Sequence, residues 1–372
     1  MKVSFNREQL LSAFGVAAVV APSRSPKVVL CNVKIAAQGG EVVLMATDTE
    51  LGVRIVVEGA EVKEDGAAIL PVSRFGAILR ESADETVSIT VGQRHIVVKG
   101  NSSEFKLPVR DADEFPNVTG FGESRFFEVE PDHLRAVVKR TLFATDVDSA
   151  RYALGGVLLE FGEGLVYGVG TDGRRLAKHE IPVSAVGEPD GLRSIVPGKS
   201  MQLIERVLSG SDAVKVAVTN NDILVECAGT TVYSRLVDGR FPDWRQVLPE
   251  RDSSGIELEV GPFLSAVKQA SIVASEESRG VDFAFSSGSL VLSGRTAEIG
   301  QSRVELPIAF DGEDVTLTFD YRYIVDFLKT LPRDTKFSVN VVDKDSAALY
   351  RTDDGFSYVL MPLERSKAKA AA

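Results

Sequence analysis

The sequence predicts an α+β protein of three similar domains, each with two helices packed on antiparallel sheet. Three observations predict it: short motifs recur at a common distance, amphipathic runs alternate with β-branched strand runs, and Gly-rich turns separate the strands. Pro71-Val72-Ser73 with Ile78 and Arg80 returns as Pro197-Gly198-Lys199 with Ile204 and Arg206, roughly 125 residues later. Phe115-Pro116 returns as Phe241-Pro242, and Thr47-Asp48 as Thr171-Asp172, at nearly the same separation. Each identity is weak alone, but their shared offset is the mark of a repeat. A third copy follows the same pattern more faintly.

Each copy is expected to open on a short strand, at 3–5, 126–130 and 256–260, leading into an amphipathic helix. In the first helix Leu10, Leu11, Phe14, Ala17 and Ala18 fall at helical spacing. In the second copy Leu134, Val137, Val138, Thr141 and Leu142 form an apolar stripe, and in the third Pro262 begins the helix. Strands joined by Gly-rich turns follow, then a second helix near 73–82, 199–209 and 321–330, then further strands. The runs 86–91, 96–99, 213–218 and 223–227 alternate and are β-branched, and 281–285 with 289–292 complete the pattern. The expected domains are 1–120, 125–250 and 255–372, with breaks near 120–123 and 250–255 where Gly, Ser and charge accumulate.

The composition, 44% hydrophobic and 26% charged over 372 residues, is that of a globular protein with packed cores. Its two cysteines, Cys31 and Cys227, stand far apart with no CxxC, which excludes a disulfide framework and fits a reducing cytoplasm. The N-terminus imitates a signal peptide, but Glu8 and Gln9 interrupt it and the apolar spacing suits a first helix. The net charge of −11 argues at first against a nucleic-acid partner. Its distribution reverses the argument. The helices expected at 6–20, 72–82, 131–142, 198–209, 262–275 and 320–330 carry a basic excess, so the remainder is more acidic than the whole. Lys199 with Arg206, and Arg322 with Lys329, stand two turns apart and so share a face. This predicts a basic concave surface for phosphates.

Gly168-x-Gly170-x-x-Gly173 follows an apolar run, as in a dinucleotide-binding loop. That loop needs a helix after its third glycine, whereas Arg175-Leu176-Ala177-Lys178-His179-Glu180-Ile181 alternates as a strand would. The glycines are expected to serve turns, and Asp48 and Asp172 to cap turn N–H groups. Pro197-Gly198-Lys199-Ser200 lacks the earlier glycine of a phosphate loop, since position 193 is Arg193. His95, His133 and His179 have no metal-ligand spacing, and no nucleophile, base and orienter assemble. No catalytic residue, metal or cofactor is expected. The alternative from another class is an enzyme binding a nucleotide or phosphorylated ligand at the Gly168–Gly173 turn.

Thr171-Asp172-Gly173-Arg174-Arg175-Leu176, Leu236-Val237-Asp238-Gly239-Arg240-Phe241-Pro242-Asp243 and Val359-Leu360-Met361-Pro362-Leu363 together resemble the bacterial DNA polymerase III beta subunits, the sliding clamps. The resemblance covers the whole chain. It implies a non-catalytic processivity factor, three repeated domains forming half of a closed ring, and helices lining a hole for duplex DNA. It also implies a shallow apolar pocket for short peptides from the replicative polymerase alpha subunit, the clamp loader, and other DNA polymerases and repair proteins. Carried over, that pocket comprises Leu154, Thr171, Gly173, Arg174, Arg175, Leu176, Pro242, Val247, Val359, Met361, Pro362 and Leu363. Gln246 replaces a frequent arginine and Glu364 a basic residue, both at the rim. DNA would be faced, without sequence preference, by Arg24, Arg80, Lys139, Arg140, Lys199, Arg206, Arg322 and Lys329.

An arc of three domains leaves a sheet edge free at each end, and free edges are usually paired. Phe105 and Leu107 in the first domain, and Ile272 and Val273 in the third, are the apolar residues expected to join two chains head to tail as a homodimer.

Overall fold

The computed structural model describes residues 1–146, 152–189, 193–210, 212–248, 255–275 and 279–363. The rim residue Glu364, the segment 366–372 and most of the expected break at 250–255 lie outside the described residues. The helices are α1 (Arg7–Val20), α2 (Val72–Glu81), α3 (Pro131–Thr141), α4 (Gly198–Val207), α5 (Trp244–Val247), α6 (Val260–Ala270) and α7 (Tyr321–Lys329). None is long and apolar enough to cross a membrane. The chain packs as two compact units, Met1–Arg135 with Val183–Val237, and Ala136–Pro182 with Asp238–Ala372, so the central repeat is shared between them.

The first unit is built on two antiparallel sheets. One has nine strands, in the order Ser184–Val186, Phe126–Val129, Val214–Val218, Asp222–Cys227, Thr230–Arg235, Leu51–Val56, Glu41–Thr47, Asn32–Gln38 and Gly66–Pro71. Its middle pairing, with Val232 opposite Val53, carries the sheet without a break from the central repeat into the N-terminal one. The other sheet runs Glu61–Glu64, Lys2–Asn6, Thr86–Val91, His95–Lys99 and Glu104–Pro108, which leaves Glu104–Pro108 at its edge. Helix α1 starts where Asn6 Oδ1 accepts from the N–H groups of Glu8 and Gln9 at 3.0 and 3.1 Å, satisfying two of the four unpaired first-turn donors. Leu10, Phe14, Ala17 and Val20 form its buried stripe, and Phe14 meets Phe75 of α2 edge-on at 4.9 Å.

In the second unit seven strands run Gly156–Gly162, Leu165–Thr171, Arg175–Pro182, Phe356–Leu360, Ala348–Arg351, Lys336–Asn340 and Ile256–Glu259. Here Leu176 opposite Val359 joins the central repeat to the C-terminal one. A second sheet, Gly300–Pro307, Ser289–Thr296, Gly280–Ser286 and Val315–Asp320, completes the unit. Its core centres on Phe327 of α7, whose ring stacks on Tyr358 at 5.0 Å among Phe337, Tyr350 and Phe356. Two helix limits differ from expectation. Helix α6 begins at Val260, because Pro262 in the first turn gives up an N–H that has no intrahelical acceptor. It ends at Ala270, and Ser271–Val273 close a 3-10 turn instead of continuing it.

The repeat survives in the backbone of its turns. Thr47 Oγ1 donates to the Leu51 carbonyl, and Asp48 Oδ1 accepts from Glu50 and Leu51 N–H; Thr171 and Asp172 repeat this on Arg175 and Arg174. The residue after the aspartate is left-handed in both turns, Thr49 at φ 85° and Gly173 at φ 88°. A β-branched residue there is strained by about 1–2 kcal/mol. Thr49→Gly is therefore expected to raise stability by about 0.5–1 kcal/mol, after glycine's larger unfolded-state entropy is set against the relieved strain. Urea denaturation of the two proteins checks it; an unchanged or lower midpoint would contradict the strain.

Candidate functional site

The three glycines of the opening motif have two different jobs. Gly173 makes the left-handed turn between Leu165–Thr171 and Arg175–Pro182. Gly168 and Gly170 face α3: a Cβ on Gly168 would lie 2.4 Å from Val137 Cγ1, and one on Gly170 only 2.1 Å from the Thr141 carbonyl oxygen. Helix and sheet can approach only because these side chains are missing. Since the turn leads into a strand, it presents no helix N-terminus to a phosphate, which removes the basis of the nucleotide-binding alternative.

The two faces of this sheet follow from alternation. Tyr167, Val169 and Thr171 share one face with Leu176 and Lys178, and Val359, opposite Leu176, continues it. Helix α5 lies on that face, with the Trp244 ring 5.6 Å from Tyr167 and its Nε1 donating to Glu160 Oε2 at 3.3 Å. Arg245 reaches Glu160 Oε1 at 2.6 Å and covers the Trp244 ring at 4.2 Å. Gln246 turns back to Asp243 Oδ2 at 3.1 Å. Beyond the strand, Met361 N–H donates to the Arg174 carbonyl at 3.0 Å and Leu363 N–H to the Thr318 carbonyl at 2.7 Å, so the C-terminal segment runs beside the turn. Leu154, Thr171, Leu176 and Val359 are buried, whereas Val247 is 45% and Met361 47% exposed. Pro242, Gly173 and Arg174 are exposed, and Pro362 and Leu363 half-buried. Leu154 is held through its carbonyl, which accepts from Asp146 N–H at 2.8 Å.

Arg175 requires a correction. Standing next to Leu176, it belongs to the opposite face, and its side chain is 9% exposed. Nε donates to Asp172 Oδ2 at 2.9 Å, Nη1 to Asp326 Oδ2 at 3.0 Å and Nη2 to the Phe143 carbonyl at 2.7 Å, with the Tyr323 ring 4.3 Å away. It ties the turn to α7 and to the 3-10 turn Leu142–Ala144 that follows α3, bracing the sheet from the face opposite Leu176 and Val359. Close by, burial pushes the Asp320 carboxyl up to about 6, even though Arg279 and Arg175 pull it down.

Residues 1–119, 128–243 and 245–364 match, in turn, the N-terminal, central and C-terminal domains of the DNA polymerase III beta subunit. The chain belongs to the DNA polymerase III beta subunit family. It is 31% identical over 376 residues to the beta sliding clamp of Caulobacter vibrioides, covering 98% of this chain and 100% of that one. It is 29% identical over 364 residues to the beta sliding clamp of Chlamydia muridarum, at 98% and 99% coverage. The crystal structure of the DNA polymerase III subunit beta from Pseudomonas aeruginosa superposes with a TM-score of 0.88 at 28% identity, over 98% of this chain and 100% of that one. Sliding clamps are processivity factors without a reaction of their own, and three similar α+β domains are their fold.

Within this clamp chain the basic residues divide into two groups. Arg80, Lys139, Arg206 and Lys329 lie in the last turns of α2, α3, α4 and α7, where a cation also opposes the negative end of the helix dipole. All four side chains are exposed, as is Arg24 in the loop after α1. Lys199, Arg322 and Arg140 point to carboxylates of the chain itself. Lys199 Nζ sits 2.6 Å from Asp48 Oδ2. Arg322 pairs at 2.5 Å with Asp320, the N-cap of α7. Arg140 is a further correction: its guanidinium turns inward to Asp354 at 2.7 Å and to the His179 ring at 3.3 Å. Burial and the Arg140 charge push His179 down to about 4, so it is neutral near pH 7.

The four residues expected at a chain-to-chain contact also divide. Phe105 is 41% and Ile272 75% exposed, but Leu107 is buried opposite Ile96, a correction to its placement at the surface. Val273 is half-buried against its own sheet, with its carbonyl accepting from Thr296 Oγ1 at 2.5 Å. Ile272 borders a hollow of about 250 Å³ with Leu264, Lys268 and Arg333. Sequence reasoning missed Trp244 as the anchor of α5, although it is the only tryptophan and closely follows Phe241-Pro242. It also missed Asp326 and Phe143, and no local signal points to either as a partner of Arg175.

Proposed function

We propose that two copies of this chain close head to tail around duplex DNA and hold replication and repair proteins by short peptide segments at the pocket beside the Thr171–Arg175 turn. The observation that carries the reading is that pocket: exposed Met361 and Val247 border the buried Leu176 and Val359 on a face whose turn is braced from behind by Arg175. A shallow apolar surface with a flexible methionine suits several related peptides, such as those of the polymerase alpha subunit, the clamp loader, other polymerases and repair proteins. Exposed Arg24, Arg80, Lys139, Arg206 and Lys329 supply phosphate contacts without base reading. Phe105 of one copy entering the hollow beside Ile272 of the other is the contact that closes the homodimer. The protein works in the cytoplasm, where Cys31 and Cys227 stay free thiols.

Retention on DNA tests the ring. After loading, the protein is expected to stay on nicked circular DNA through a high-salt wash and to slide off the same DNA once linearised. Equal loss from both would refute encirclement. The pocket is tested separately by Met361→Ala with Leu363→Ala. This pair is expected to cost a polymerase tail peptide about 1–3 kcal/mol of affinity, with little change in fold, because the two side chains are exposed and half-buried. Unchanged affinity by calorimetry would move the peptide site elsewhere.

A further inference from the structure

The corresponding sheet face exists in the N-terminal repeat, and there it is hollow. Register equates Val43 with Tyr167 and Ala36 with Glu160, since each pair lies opposite its partner in the first hairpin of its repeat. The next strand equates Arg54, opposite Met45, with Lys178, opposite Val169. Pro116 likewise answers to Pro242, and Val118 to Trp244. In the central repeat the Tyr167 and Trp244 rings fill the space above the sheet, with Lys178 Nζ over Tyr167 at 5.4 Å. In the N-terminal repeat the corresponding side chains are too small to do so. They leave a groove of about 590 Å³ floored by Ala36, Val43 and Met45 and walled by Pro116.

The charges around this groove are unequal in their partners. Glu41 faces Arg54 at 4.0 Å, and Asp65 accepts from Gly39 N–H at 3.1 Å. Lys34, at the rim, has no ion pair among the described residues. An entering ring would meet Arg54 as Tyr167 meets Lys178, a cation against an aromatic face. A carboxylate beside that ring would meet Lys34. We infer that this groove is a second docking site, for a partner peptide that inserts one aromatic side chain next to an acidic residue. The inference goes beyond the pocket at Met361 and does not depend on it.

The chain has four methionines, of which Met45 lines the groove and Met361 the other pocket, so methyl-labelled methionine reports each site separately. The full-length protein is titrated with acetylated, amidated Ser-Glu-Trp-Glu-Ser and with its Trp→Ala control. The tryptophan peptide is expected to shift the Met45 methyl signal saturably, and the control to leave it in place. Val43→Tyr, which fills the hollow as Tyr167 does, is expected to abolish the shift. Lys34→Glu changes only the rim and keeps the test decisive if Val43→Tyr does not fold; it is expected to weaken binding at least about fivefold. A Met45 signal that never moves, moves equally with the control, or titrates unchanged in Lys34→Glu overturns the proposal. Shifts confined to Met361 overturn it too, while leaving the pocket reading intact. Binding of the free indole ring as tightly as the peptide would make this a small-molecule site and also refute peptide docking.

Discussion

Gly170→Ala is expected to destabilise the protein by about 2–4 kcal/mol, a large effect for one methyl group. The added Cβ would sit 2.1 Å from the Thr141 carbonyl oxygen and 3.0 Å from its carbon, both backbone atoms that cannot rotate away. The end of α3 must then lift from the sheet, separating Val137 and Ala144 from the core they bury in. Gly173→Ala is the internal control. Its Cβ meets nothing within 4 Å, so only the left-handed φ of 88° opposes it, at about 1 kcal/mol. Urea denaturation followed by circular dichroism ranks the two. Equal midpoints would mean that the motif serves turns alone and not helix packing.

Arg175→Met is expected to cost about 3–5 kcal/mol of stability, because removing one partner strands the others. Asp172 and Asp326 lose their cation, the Phe143 carbonyl loses a donor, and the methionine stem restores only the packing on Tyr323. Arg175→Lys is expected to recover a minor part of the loss, since one ammonium cannot make three divergent bonds in the guanidinium plane. Peptide affinity should fall with it in both variants, although Arg175 lies on the face away from the pocket. A variant with full stability and lost binding would instead make Arg175 a direct peptide contact.

Much of this was legible in the chain. The strand runs at 86–91 and 223–227 were readable because alternation and β-branching are local properties, and both form within a residue of expectation. The Gly173 turn was readable for the same reason: the residues after it alternate and cannot present a helix dipole. The roles of Asp48 and Asp172 as turn caps span only two or three residues and also hold. Basic residues were harder. Lys139 and Arg140 are neighbours in the last turn of α3, but only Asp354, in the turn before Phe356–Leu360, and His179, in Arg175–Pro182, draw Arg140 inward, and both are far away in sequence.

The sequence by itself determined the order of elements, the threefold repeat, the absence of a phosphate-binding helix after Gly173 and, through three motifs, the family. These rest on spacings of two to four residues and on identities along the chain, which need no knowledge of what packs on what. Only the tertiary structure decided that Gly168 and Gly170 are spacers beneath α3, that Arg175 braces the Thr171–Arg175 turn through Asp326, and that Leu107 is core while Phe105 is surface. It also decided that the face filled by Tyr167 and Trp244 in one repeat is open in another. The physical reason is common to all four: burial and side-chain partnership are set by contacts between segments far apart in sequence, and alternation assigns a face but not what covers it.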